Sequence, residues 1–332
     1  MTSIIDDLQK PDSLPDKTEN VHVIQTHISI VFVADEFVYK VKKPVNFGFL
    51  DFSTLEKRRR FCHQEVKLNN RLSKGIYLDV LPIRFDGRRH YLEGTSGEVV
   101  EYAVKMRRIP DEILMKSLFD KGDLTRDHLR RIAGVLARFH LETLNSPEID
   151  QFGKIESFMV NTDENFEQVK KYVGVSIQEN EFKTLKGWTK DFYEKNRELF
   201  SERIRDGRIR DCHGDLHMEH VCFTEELSII DCIEFNDRFR YSDTVADIAF
   251  LLMDLEYHGG IDDAMTLWRL YKELAGEEDV DPLLTFYKVY RAFVRGKVNS
   301  FQVDDDNIGA EAKQEAVERA RKYFELAYGY LG

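Results

Sequence analysis

The chain changes periodicity near Pro110, and that change limits its fold more than any other feature. Before it, apolar residues recur in twos within short β-branched and aromatic segments. These are "HISIVFVADEFVYKVKKPV" from His27 to Val45, then "IYLDVLPIRFDG", "RRHYLEG" and "VVEYAVKMRRI". The first has a polar break at Ala34-Asp35-Glu36 and reads as a β-hairpin. One helical stretch interrupts the strands at Leu50–Ser73. There Ser53 and Glu56 have capping-box spacing, and Phe61, Leu68 and Leu72 recur at near-helical intervals. After Pro110 the apolar residues recur in threes and fours, from "LTRDHLRRIAGVLARFHLETL" to "EAKQEAVERARKYFELAYGYL". A small antiparallel sheet with one helix, followed by a larger helical region, is an α+β, two-lobed arrangement. The expected divisions are a flexible lead-in at 1–20, a β lobe at 21–105 and a helical lobe at 106–332 with a helical insert at 155–205.

With 332 residues, 42% hydrophobic and 33% charged, the chain can bury a sizeable core. Its net charge of -12 argues against broad nucleic-acid binding, which needs a concentrated basic surface. The polar N-terminus has no apolar core of a signal peptide, and the longest apolar run, "IAFLLM" at 248–253, is far too short to span a bilayer. Cys62, Cys212, Cys222 and Cys232 form no C-x-x-C pair and read as reduced thiols, so a cytoplasmic location is expected. The basic run Lys57-Arg58-Arg59-Arg60 reads as a solvated helix face, and 304–309 as the loop entering the last helix.

The stretch "DCHGDLHMEHVCFTEELSIIDCIEFN", Asp211–Asn236, concentrates His213, His217, His220, Asp215, Asp231 and Glu234. Phosphoryl transfer from ATP needs a lysine on the phosphates, a carboxylate fixing that lysine, a carboxylate for the attacking hydroxyl and oxygen ligands for Mg²⁺. The chain offers these parts in order. Lys40 and Lys42 share one face of a strand. Glu65 lies mid-helix after it, Asp215 sits in "HGDLH", and Asp231 ends the apolar strand "LSIID".

The segments "CHGDLHMEHVCF", "LSIIDCIEFN" and "DTVADIAFLL" together resemble the aminoglycoside phosphotransferase and choline kinase family, a branch of the protein-kinase-like fold. That family carries H-x-D-x-x-x-x-N, then a strand ending I-D-F or I-D-W, then D-x-x-x-D-[LI]-A, and the three elements have counterparts here in that order. "THISIVFVADEFVYKVKKPVNFGFLDFSTLEKRRRFC" is similar to a less characterised subgroup. Some members of it carry a C-terminal P-loop domain; no G-x-x-x-x-G-K-[ST] occurs here, so this domain is expected to be missing. The resemblance implies Asp215 as catalytic base, Asp231 as Mg²⁺ ligand, Lys40 as phosphate lysine with Lys42 as fallback, and Glu65 as its partner. It implies Asp247 as the residue ordering the catalytic loop, with His213 and His217 as structural support. Glu101, Tyr102, Ala103, Val104 and Met106 would form the inter-lobe hinge whose backbone holds the adenine of ATP.

Two departures stand out. The family asparagine is His220 here, a softer metal ligand than an amide oxygen, so either only one Mg²⁺ is held well, or Glu234 supplements the site as a metal ligand, or the activity is reduced. The first hairpin has no glycine-rich turn. The reading is an ATP- and Mg-dependent phosphotransferase acting on a hydroxyl of a small molecule. Glu156, Asp254 and Glu256 are candidates to receive a cationic group on it. Two alternatives remain at this point: a nucleotide-binding regulator with weak or no turnover, and a metallohydrolase using His213, Asp215, His217 and His220.

Overall fold

Strand alternation builds a six-stranded antiparallel sheet, seen in a computed structural model that describes residues 3–305 and 308–332. Its strands are β1 (His22–Gln25), β2 (Ser29–Val33), β3 (Phe37–Lys42), β4 (Tyr77–Phe85), β5 (His90–Leu92) and β6 (Glu98–Arg107), in the order β1-β2-β3-β6-β4-β5. In β3 the register sets Lys40 against Val31 on one side and Val104 on the other. The period of two then sends Tyr39 and Val41 to the opposite face. There they pack with Phe32, Leu81, Ile83 and Ala103.

The segment expected to be a flexible lead-in covers that second face. Its helix α1 (Ile4–Leu8) is capped by Ser3, whose hydroxyl accepts from the Asp6 amide at 3.1 Å. Leu8 is fully buried and Leu14 nearly so, both against the sheet. The Asp7 carboxylate accepts from the His90 amide at 2.9 Å and meets the His90 ring at 2.9 Å. A five-residue helix is too short to show periodicity or to stand alone; burial on the sheet orders it. Met1 and Thr2, and Asp306 and Asn307 of the loop expected at 304–309, lie outside the described residues.

Helix α2 (Leu55–Asn69) packs on the Lys40 face through Cys62, with Ile76, Tyr77 and Val104. Its cap is Thr54, one residue later than expected, while Ser53 hydrogen-bonds Asp51 instead. Arg58 is not on a solvated face: it is buried, pairing with Glu101 at 2.7 Å and donating to the Phe52 carbonyl at 2.8 Å.

Helix α3 (Met115–Lys121) follows the sheet. Beyond it come α4 (Arg126–Glu142) and α5 (Pro147–Asp150), then the insert helices α6 (Ile155–Val169), α7 (Glu179–Lys195) and α8 (Arg197–Arg205). Short strands β7 (Ile209–Asp211), β8 (Val221–Cys222) and β9 (Ser228–Ile229), helix α9 (Asp237–Arg240) and strand β10 (Tyr241–Asp243) surround the His/Asp-rich stretch. The chain ends in α10 (Thr244–Tyr257), α11 (Ile261–Ala275), α12 (Asp281–Phe301) and α13 (Ala310–Gly329). Phe166, Leu185, Phe250, Phe293 and Phe324 share the core of this helical part.

Two compact units result, and their boundary is not at residue 105. The first runs to Gly122 and takes back Glu219–Asp237; the second holds Asp123–Met218 and Arg238–Gly332. Backbone hydrogen bonds explain the return. Phe223 donates to the Ile113 carbonyl at 2.8 Å, Ile229 to the Leu72 carbonyl at 3.0 Å, and Cys232 to the Asn69 side-chain oxygen at 2.9 Å. All four cysteines are buried, and none of them is in a disulfide. Among the described residues no helix is long and apolar enough to cross a membrane.

Candidate active site

In the first unit, strand β3 and helix α2 bring three charges together. The Lys40 ammonium lies 2.9 Å from Glu65 and 2.7 Å from Asp231. Lys42, two residues on and nearly inaccessible, pairs with the other Glu65 oxygen at 2.6 Å and with Glu234. Glu65 thus bridges both lysines from a fully buried position. Burial alone would raise its carboxyl, but Lys40 and Lys42 outweigh that and hold it below the usual range. Burial would likewise lower the Lys40 ammonium, and Asp231 and Glu65 together hold it raised instead.

Asp231 is the more exposed partner, with 43% of its side chain accessible against 17% for Lys40. Its backbone is left-handed, at φ 62°, a region that aspartate tolerates better than most residues. The Tyr77 hydroxyl holds that bend by accepting from the Asp231 amide at 3.1 Å, and Asn69 accepts from the next amide. No sequence signal marked Tyr77 or Asn69, because each acts through a backbone group brought near by the fold. His220 lies with its ring nitrogen 3.7 Å from the second Asp231 oxygen. Glu234, expected beside the metal ligand, is buried and committed to Lys42. Lys42 is buried and shares Glu65 with Lys40, so it needs a further buried carboxylate, and Glu234 is that group.

The hinge expectation needs correction. Ala103, Val104 and Met106 lie inside β6, opposite β3 on one side and β4 on the other, while Glu101 and Tyr102 pair with β4 alone. A stretch flanked on both sides has its main-chain donors and acceptors engaged, so the backbone at Ala103, Val104 and Met106 is not free for an adenine. The Tyr102, Val104 and Met106 side chains share the Lys40 face. The Glu101 carboxylate is turned to Arg58.

In the second unit the "HGDLH" loop is held by its backbone. Both Asp247 oxygens accept amides, from His213 at 2.9 Å and from Gly214 at 2.8 Å, and His140 adds a contact at 3.1 Å. Burial would raise the Asp247 carboxyl, but the His140 bond leads a set of contacts that depress it well below the usual range. Arg291 donates to the Gly214 carbonyl at 2.9 Å, and Asp254 accepts from the Met218 amide at 2.9 Å. Gly214 sits at φ 89°, which a side chain would strain.

His213 is fully buried, and its ring accepts from the Asp215 amide at 3.3 Å. The Asp215 side chain is one-third exposed, with the His217 ring 3.7 Å away. Burial would lower the His217 imidazole, yet the Asp215 carboxylate beside it lifts it above its ordinary range. Arg291 could have been suspected as a lone charge in the apolar stripe of α12, and His140 as one in that of α4. The acidic residues proposed for a cationic group are engaged elsewhere. Asp254 holds the Met218 amide, Glu256 pairs with Lys288 at 2.5 Å, and Glu156 is an exposed surface group 3.8 Å from Arg197.

A family model described as a phosphotransferase enzyme family matches residues 55–283. The chain belongs to that family. Uncharacterized proteins of Mycobacterium tuberculosis and Mycobacterium bovis are 31% identical to this phosphotransferase-family chain over 312 residues, 94% of its length. The chain spans 60% of the length of these curated relatives. Among solved structures, spectinomycin phosphotransferase in complex with ADP and spectinomycin is similar, at 15% identity and a TM-score of 0.52, covering 95% of this chain and 94% of that one. Choline kinase LicA from Streptococcus pneumoniae has 15% identity and a TM-score of 0.51, with 93% and 94% covered. Amicoumacin kinase hAmiN in complex with AMP-PNP, Ca²⁺ and Ami has 11% identity and a TM-score of 0.50, with 95% and 89% covered. These likenesses show the fold: α+β, two-lobed and protein-kinase-like.

Proposed function

We propose that the chain is an ATP-dependent phosphotransferase that moves the γ-phosphate to a hydroxyl of a small molecule. One observation carries the reading: Lys40 bonded at once to a helix carboxylate, Glu65, and to a strand-end carboxylate, Asp231. Lys42 also has two carboxylate partners, but both are buried; Lys40 has one buried and one partly exposed, which suits a group that must turn to phosphate when nucleotide arrives. The family match, and the ADP and AMP-PNP complexes of the similar structures, support the nucleotide.

In this reading Lys40 holds the α- and β-phosphates and Glu65 fixes Lys40. Lys42 stays on Glu65 and Glu234 as structural support. Asp231 would hold Mg²⁺: its carboxylate is hard, accessible and set by a strained backbone, which fits an oxygen-seeking cation. Bound Mg²⁺ supplies neutralisation of phosphate charge. His220 would stand beside it as a softer neighbour, suited to water-mediated contact more than to direct ligation. Asp215 orients the acceptor hydroxyl and takes its proton, while His213, His217 and Asp247 keep the loop in shape. Adenine would lie against the Val104 and Met106 side chains and take its main-chain bonds from the residues after β6.

The test is calorimetric titration of ATP, with and without Mg²⁺, into wild type and Asp231→Asn. Mg²⁺-dependent binding that collapses in the variant is expected. Binding indifferent to both would point to a nucleotide-binding regulator, and absence of nucleotide binding would sink the kinase reading.

A further inference from the structure

Helix α6 carries a polar face where a packed insert helix ordinarily carries apolar residues. Asn161, Glu164, Asn165 and Gln168 follow the i, i+3, i+4, i+7 spacing of one helical face. Asn161 and Asn165 are 6% and 5% exposed. The side-chain oxygens of Asn161 and Gln168 are buried with no hydrogen-bond partner. A buried polar group without a partner is costly, and two on one helix face ask for a third party.

The residue across from this face is Lys297 of α12, whose ammonium donates to the Asn165 oxygen at 2.6 Å. Among the described residues the acid that bears most on Lys297 is Glu164, and Arg238 already holds that carboxylate by two bonds, at 3.0 and 2.6 Å. Lys297 is therefore a largely enclosed cation whose hydrogen-bond partner is a neutral amide. Burial pushes its ammonium down to about 8, the direction expected when positive charge is left uncompensated. Helix α12 also ties this face to the catalytic loop: Arg291, which grips the Gly214 carbonyl, lies six residues before Lys297, about 9 Å along the helix.

We propose that the Asn161–Asn165–Gln168 face of α6, with Lys297 opposite, binds an anionic group, carboxylate or phosphate, on the acceptor. This rests on the phosphotransferase reading and gives its substrate class. The anion meets Lys297, and hydroxyls of the same molecule donate to the Asn161 and Gln168 oxygens. The engagement of Asp254 and Glu256 elsewhere fits an acceptor without a cationic group.

The experiment titrates four probes into the full chain: glycerate, glycerol 3-phosphate, glycerol and choline. At least one anion should bind about tenfold more tightly than glycerol or choline, the scale of one charge-assisted contact. Which anion leads separates carboxylate from phosphate. Lys297→Gln should abolish the preference and Lys297→Arg should keep it; the wild-type ranking is decisive even if a variant fails to fold. Equal or better binding of glycerol or choline, no binding of either anion, or a preference that survives Lys297→Gln would overturn the proposal. ATP titrated into wild type separates the two readings. ATP binding without anion preference overturns only the acceptor class. Anion preference lost in Lys297→Gln without ATP binding leaves the site standing and removes the kinase.

Discussion

The Lys40 cluster and the "HGDLH" loop are both built around buried carboxylates, but they use them differently. Glu65 and Glu234 answer charge with charge, side chain to side chain. Asp247 and Asp254 answer backbone amides, and Arg291 a backbone carbonyl. An ion-pair cluster can exchange one partner for another, as Lys40 must if it is to leave Asp231 for a phosphate. Amides fixed by a carboxylate have no alternative partner. One region is built to rearrange and the other to stay.

Substitutions that separate chemistry from scaffolding sharpen this contrast most. Asp215→Asn should cut turnover by about a hundred- to ten-thousandfold, the range of a lost general base, while ATP affinity holds. Single-turnover kinetics beside calorimetry would check it; a variant that loses ATP binding instead would tie Asp215 to the nucleotide.

Next in size is Glu65→Gln, which strands Lys40 and Lys42 beside a neutral amide. Breaking a buried pair in this way should cost about 3–5 kcal/mol, read from denaturant midpoints. Lys42→Met with Glu234→Leu removes a whole pair and should cost far less. If the double variant is the worse of the two, the cluster is not the exchangeable network described.

Asp247→Ala leaves the His213 and Gly214 amides unanswered and should cost about 1–3 kcal/mol. It should lower turnover more than it weakens ATP binding, because only the loop is affected. Equal losses in both would blur the distinction between the two regions.

The smallest effect is one of pH. The Asp247 carboxyl is depressed in the folded state below its ordinary 3.8. As pH falls, the unfolded chain takes up that proton first. The contribution is therefore complete above 3.8 and is lost as pH drops through the folded value. Stability measured downward from neutral pH should fall on this limb, and Asp247→Ala should flatten it.

Much of the fold was legible because its signals are local. The strand alternation around Lys40, the helical spacing after Thr125 and the order of lysine, glutamate and two aspartates all depend on near neighbours in sequence. The same holds for Lys40 and Lys42 sharing a face, which follows from the pleat alone. The lead-in was missed because α1 has too few residues to show a period and is ordered only by the sheet beneath it. The hinge was misjudged because a strand's outer or inner position depends on which strands flank it, and β3 pairs with β6 across the intervening α2, β4 and β5.

What the sequence determined by itself was the class of fold, the kinase-like set of charged residues and the family they point to. What the tertiary structure alone decided was which charges meet. Lys40 shares Glu65 with Lys42, Glu234 closes the second pair rather than joining Asp231, and Tyr77 and Asn69 hold the bend at Asp231. The physical reason is that a charge's role is set by its partner and its burial, and both come from segments distant in the chain.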